Sequence, residues 1–183
     1  RLRTIYGELY ELESNDSLHS RLASDIIDFS DLRKLQKPFV GENPYFAETI
    51  VRGRWHWMVG SQGTGKTAAL SNLVDEVESG GAPIIYHFFR ADVPRWRSVE
   101  NAIRSLAAQM EKLFPMFAGE ERTAIARLRG LLARYDEAWN RANELRESAE
   151  QENVSKPEGV EERSLGLLPL TIVFDGCDIV GLD

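Results

Sequence analysis

At 183 residues, 43% hydrophobic and 28% charged, the chain has the composition of a soluble globular protein with enough apolar mass for one core. No stretch approaches the roughly 18 consecutive apolar residues of a membrane span, and a formal net charge of -7 argues against wrapping nucleic acid through its phosphates. The lone cysteine, Cys177, excludes an internal disulfide and fits a reducing, cytoplasmic compartment.

In chain order, Ile5, Tyr6, Leu9, Tyr10 and Leu12 suggest a short helix, and Asn15-Asp16-Ser17 a break. Leu22 to Leu35 carries a second apolar pattern, interrupted at Ser30-Asp31; residues 1–36 read together as a helical N-terminal extension. Lys37 to Pro44 is a connector rich in turn residues, and Tyr45 to Val51 leads toward the first core strand. Trp55-His56-Trp57-Met58-Val59 is a short, mostly apolar, strand-like run.

Directly after it, Gly60-Ser61-Gln62-Gly63-Thr64-Gly65-Lys66-Thr67 matches the phosphate-binding pattern G-x-x-x-x-G-K-[ST] at every fixed position. Ala68 to Val77 follows with apolar residues at helical spacing, so the loop stands between a strand-like run and a helix, the context this chemistry requires. Gly60, Gly63 and Gly65 are expected to let the backbone take conformations that a side chain would forbid. The amides of the loop and of the helix N-terminus would then converge on a phosphate, Lys66 would reach its outer oxygens, and the Thr67 hydroxyl would face a magnesium ion.

Ser79-Gly80-Gly81 ends the loop helix, and Pro83 to Phe89 is a continuous apolar run of the kind a buried parallel strand shows. Ser98 is placed to cap a helix carrying Ile103, Leu106, Ala107, Met110 and Leu113, which Pro115 stops. Glu120 to Leu145 is a long amphipathic segment with Ile125, Leu128, Leu131, Leu132, Tyr135 and Trp139 on one stripe, read as a helical insertion over about residues 119–150. Glu150 to Ser164 is polar and looks like an exposed loop. Leu167 to Phe174 is a second buried-strand run, ending in Asp175-Gly176-Cys177-Asp178. Alternating strands and helices argue for an α/β fold with a mostly parallel sheet.

A magnesium-nucleotide site needs a carboxylate at the C-terminal end of a neighbouring strand, and Asp175 is placed for it. Asp178 stands three positions on, where it could orient or deprotonate an attacking water. His19, His56 and His87 form no metal-ligand spacing, and His56 and His87 read as structural residues within strands. Trp55, Trp57, Trp96 and Trp139 read as packing residues.

These motifs resemble the core of STAND-class P-loop NTPases, with the NACHT branch the nearest fit. The connector Pro38-Phe39-Val40-Gly41-Glu42 is similar to the Phe-Val-Gly-Arg-Glu element of that class, though no Arg stands between Gly41 and Glu42. The loop GSQGTGKT, the run IIYHFFR with its helix ending SLAAQM, and the strand end TIVFDGCD complete the likeness, over about residues 38–178. Ile179 departs from it, standing where the class often has Glu. The resemblance implies a P-loop NTPase three-layer sandwich over residues 37–183, incomplete on its C-terminal side. It implies binding of ATP (or GTP) with Mg2+, slow hydrolysis, and nucleotide-controlled self-association in a signalling protein. It further implies a missing strand between the loop strand and the acidic strand, hence a gap in the sheet, so the chain, which begins at Arg1, reads as a fragment. Two other readings stay open: an AAA-like motor or remodelling ATPase acting on nucleic acid or protein, and a pseudo-NTPase interaction module.

Overall fold

The computed structural model describes residues 20–36, 56–151 and 168–177. The expectations for Ile5 to Leu12, Asn15 to Ser17, His19, the connector, Trp55, the polar segment after Gln151, Asp178 and Ile179 lie outside the described residues. The elements are α1 (residues 20–25), α2 (Ser30–Leu35), α3 (Lys66–Ser79), β1 (Ile84–Phe88), α4 (Pro94–Arg97), α5 (Val99–Leu113), a 3-10 turn (Pro115–Phe117), α6 (Ala124–Gln151) and β2 (Thr171–Asp175).

The two apolar runs pair as parallel strands, from Ile84 opposite Thr171 to Phe88 opposite Asp175. Alternation along the pleat sends their side chains into two cores. On one face Ile84, Phe88 and Val173 pack against Leu73 and Val74 of α3 and against Ile27, Phe29 and Leu32. On the other, Ile85 packs against Leu106, Ala107 and Met110 of α5 and Leu131 and Tyr135 of α6. Helices therefore lie on both faces of a small parallel sheet, an α/β arrangement, although on the second face the cover stops at β1: Ile172 and Phe174 of β2, expected in a buried run, are exposed. The full sandwich would need more strands than the two described.

Local signals set most of the boundaries. The Ser98 side chain accepts a hydrogen bond from the Asn101 amide at 3.3 Å and caps α5, and Pro115 follows its last turn. Gly80 and Gly81 close α3, with Gly81 at φ 72°. The start of α6 falls at Ala124 and not at Glu120, because the Thr123 hydroxyl accepts the Ala126 amide and serves as the cap. The break expected at Ser30-Asp31 lies just before it, at residues 26–29, where the Asp28 carboxylate accepts the Ser30 amide at 2.8 Å.

The run before the glycine loop departs from expectation. Residues 56–60 form no strand, and Trp57 and Val59 are 80% and 90% exposed. An isolated strand leaves its backbone unpaired, and this run is hydrogen-bonded to neither described strand. Trp57 is thus not a packing residue, whereas Trp96 and Trp139 do pack against the two cores.

Side chains finish the framework. Gln109 of α5 reaches the outer edge of β1: its Oε1 accepts the Tyr86 amide and its Nε2 donates to the Tyr86 carbonyl, both at 3.0 Å. Glu111, 2% exposed, is paired at 3.0 Å with Arg127 of α6 and at 3.1 Å with Arg21 of α1, and Arg127 also faces Asp25 at 3.6 Å. Burying one of these charges without its partners would be costly, so the cluster holds α1, α5 and α6 together. Among the described residues, no helix is long and apolar enough to cross a membrane.

Candidate functional site

The glycine-rich loop ends as the N-terminus of α3. Gly63 and Gly65 sit at φ 82° and 84°, left-handed values that strain any residue with a Cβ, and Gly65 is the residue capping α3. Gly60 departs from the expectation: its backbone is not left-handed, and a Cβ there would meet only the Thr64 hydroxyl, at 2.9 Å.

Inside the loop, carbonyls gather around one ammonium. Lys66 Nζ donates to the Gly60 carbonyl at 2.7 Å and to the Ser61 carbonyl at 2.9 Å. The Ser61 carbonyl also accepts the Thr64 hydroxyl at 2.9 Å, which folds the loop upon itself, with Gln62 at its exposed tip. No side chain caps α3, and no acidic residue lies in its first turn. The first intrahelical bond closes from Ala69 to Gly65, so the amides of Lys66, Thr67 and Ala68 have no acceptor within the helix. Three donors that the helix itself leaves over, at the positive end of its dipole and beside a lysine, suit an anion.

The second half of the site comes from β2. Asp175 is its last residue, only 8% exposed, and its carbonyl accepts the Phe89 amide at 2.8 Å. Its Oδ2 accepts the Thr67 hydroxyl at 2.7 Å. That bond joins the end of the loop motif to a strand end 108 residues away. Gly176, at φ 72°, turns the chain just past the carboxylate. Of the residues singled out in the sequence, the fold thus gathers Gly60 to Thr67 and Asp175.

The histidines part company. His56 is exposed and outside any strand. His87 is fully buried on β1, its Nε2 bonded to the Trp96 carbonyl at 2.9 Å and its Nδ1 without a partner. Burial pushes its pKa below the ordinary 6.5, so the ring is neutral and structural. Two residues that brace the framework beside the site were not foreseen in that role from the sequence. One is Gln109, recognisable only as part of the SLAAQM helix; the other is Arg33, which carries no local signal.

A glycine loop opening a helix, opposed by a strand-end carboxylate, defines an α/β protein with an anion-suited site at the C-terminal end of its sheet. The family model described as Nephrocystin 3, N-terminal, matches residues 42–178, and the chain belongs to that family. Comparison with curated proteins and with solved structures gave no match.

Proposed function

We propose that the chain is the nucleotide-binding core of a P-loop NTPase of the STAND class, NACHT-like, binding ATP (or GTP) with magnesium and turning it over slowly. The observation that carries this is the Thr67–Asp175 hydrogen bond, which brings the last residue of the loop motif against a buried carboxylate. A hydroxyl and a carboxylate side by side are the hard oxygen donors that magnesium favours, and Thr67 and Asp175 would hold it. When bound, magnesium supplies neutralisation of the phosphate oxygens. The amides of Lys66, Thr67 and Ala68 would bind and orient the phosphates. Lys66 would exchange the Gly60 and Ser61 carbonyls for the outer phosphate oxygens, a local rotamer change of a single side chain.

Residues 37–183 would then be the NTPase core, with α6 as its helical insertion and residues 1–36 as an extension. Asp178 is the candidate to orient a water. In the longer protein this reading entails, nucleotide state would govern self-association in a cytoplasmic signalling role. The chain is titrated with a fluorescent ATP analogue and magnesium, beside Lys66→Ala and Asp175→Asn. Micromolar binding is expected for the parent, loss of most affinity for Lys66→Ala, and a loss for Asp175→Asn seen mainly with magnesium present. Equal affinities across the three chains would overturn the assignment.

A further inference from the structure

Arg33 makes three attachments from one side chain. Its guanidinium donates to the Tyr86 hydroxyl of β1 at 2.8 Å and to Glu78 of α3 at 2.7 Å, and it pairs with Asp75 of α3. It also lies over the Tyr86 ring, 5.4 Å from the centroid. A few residues earlier the same strap plugs the core: Phe29, 1% exposed, sets its ring 5.4 Å from Phe88 and 4.8 Å from Trp96.

Arg33 ties α3, which opens the site, to β1, the strand paired with the β2 strand that carries Asp175. Asp75 and Glu78 lie in the last turns of α3, whose first residues are Lys66 and Thr67. Tyr86 lies in the middle of β1, whose last residue registers with Asp175. A helix of 14 residues is a rigid rod about 20 Å long, so holding its far end against β1 fixes where its N-terminus meets β2. The Thr67–Asp175 contact depends on that angle. Without the guanidinium, Asp75 and Glu78 would stand as neighbouring like charges one turn apart, and α3 would meet the strap only through apolar contacts such as those of Leu73 and Val74.

We infer that Arg33 is a positioning residue for the phosphate site, and that docking of the strap, residues 20–36, and binding of nucleotide each strengthen the other. This rests on the proposed nucleotide site, and it adds a handle through which whatever precedes the strap could act on that site. Linkage requires reciprocity: if the docked strap favours nucleotide, nucleotide favours the docked strap.

The test uses the 183-residue chain with a fluorescent ATP analogue and magnesium, well below every variant's unfolding midpoint. Arg33→Gln is expected to weaken binding about five-fold, the low end of ordinary coupling. Arg33→Lys, which keeps a charge for α3 but loses the planar fork, should fall between parent and Arg33→Gln. Leu131→Ala, in the opposite core, lowers stability without touching this tie and should bind as the parent does. In the reciprocal readout, nucleotide should slow amide exchange in residues 27–33 of the parent and do so less in Arg33→Gln. Parent-like binding by Arg33→Gln, or strap exchange indifferent to nucleotide in a parent that binds it, overturns the coupling alone. A parent that binds no nucleotide overturns the proposed function and the coupling with it.

Discussion

The two flanks of the glycine loop had similar apolar credentials in the sequence and met different fates. Downstream, Ala69, Leu73 and Val74 are buried in a helix that packs on the sheet. Upstream, Trp57 and Val59 stand almost fully in solvent without regular structure. A helix satisfies its backbone within itself and needs a neighbour only for one face; a strand needs a neighbour for its backbone as well. Apolar pattern reports the capacity to pair. It does not report whether the pairing is made.

The sharpest way to break the contrast is to hollow the downstream flank. Leu73→Ala should cost about 2–5 kcal/mol of unfolding free energy by denaturant titration, because it leaves a cavity between α3, Phe29 and β1. An intermediate effect is expected from acid. His87, on the strand beneath α3, is neutral when folded and has a pKa lowered by burial from 6.5, so the unfolded chain binds the extra proton first. The stability it lends is complete above 6.5 and is lost as pH falls below that value toward the lower folded pKa. Urea midpoints of the parent should drop between about pH 7 and pH 5, and those of His87→Gln should drop less; equal slopes would remove His87 as the cause. The smallest effect belongs to the upstream flank: Trp57→Ala should change stability by no more than about 0.5 kcal/mol, and a larger loss would mean that this run packs in solution.

Much of the framework was legible because its signals are local. Ser98 announces a helix start, Gly80 and Pro115 announce stops, and the apolar runs at 84–88 and 171–175 are strands, the first buried as expected and the second with Ile172 and Phe174 exposed. The meeting of Thr67 with Asp175 could be anticipated from the rule that such carboxylates end a neighbouring strand. What escaped are contacts between distant elements made by ordinary polar residues. The Gln109 amide on Tyr86 spans 23 residues and the Arg33 tie to the same tyrosine spans 53, and neither leaves a periodic trace. Gly60 was singled out for a torsional reason, and its backbone is not left-handed. Asp178 lies beyond the described residues, so its role stays a proposal.

The amide of Gln109 has a consequence for how this sheet can grow. Residues 83 and 89 turn their backbone groups toward β2, so by alternation Tyr86 is the middle of the three residues of β1 that face away from it. With donor and acceptor of Tyr86 both occupied by one side chain, that border offers an arriving strand no continuous ladder. Among the described residues the sheet is thus capped on one side by a single glutamine, which leaves the far border at β2 as the side where a further strand would find its ladder.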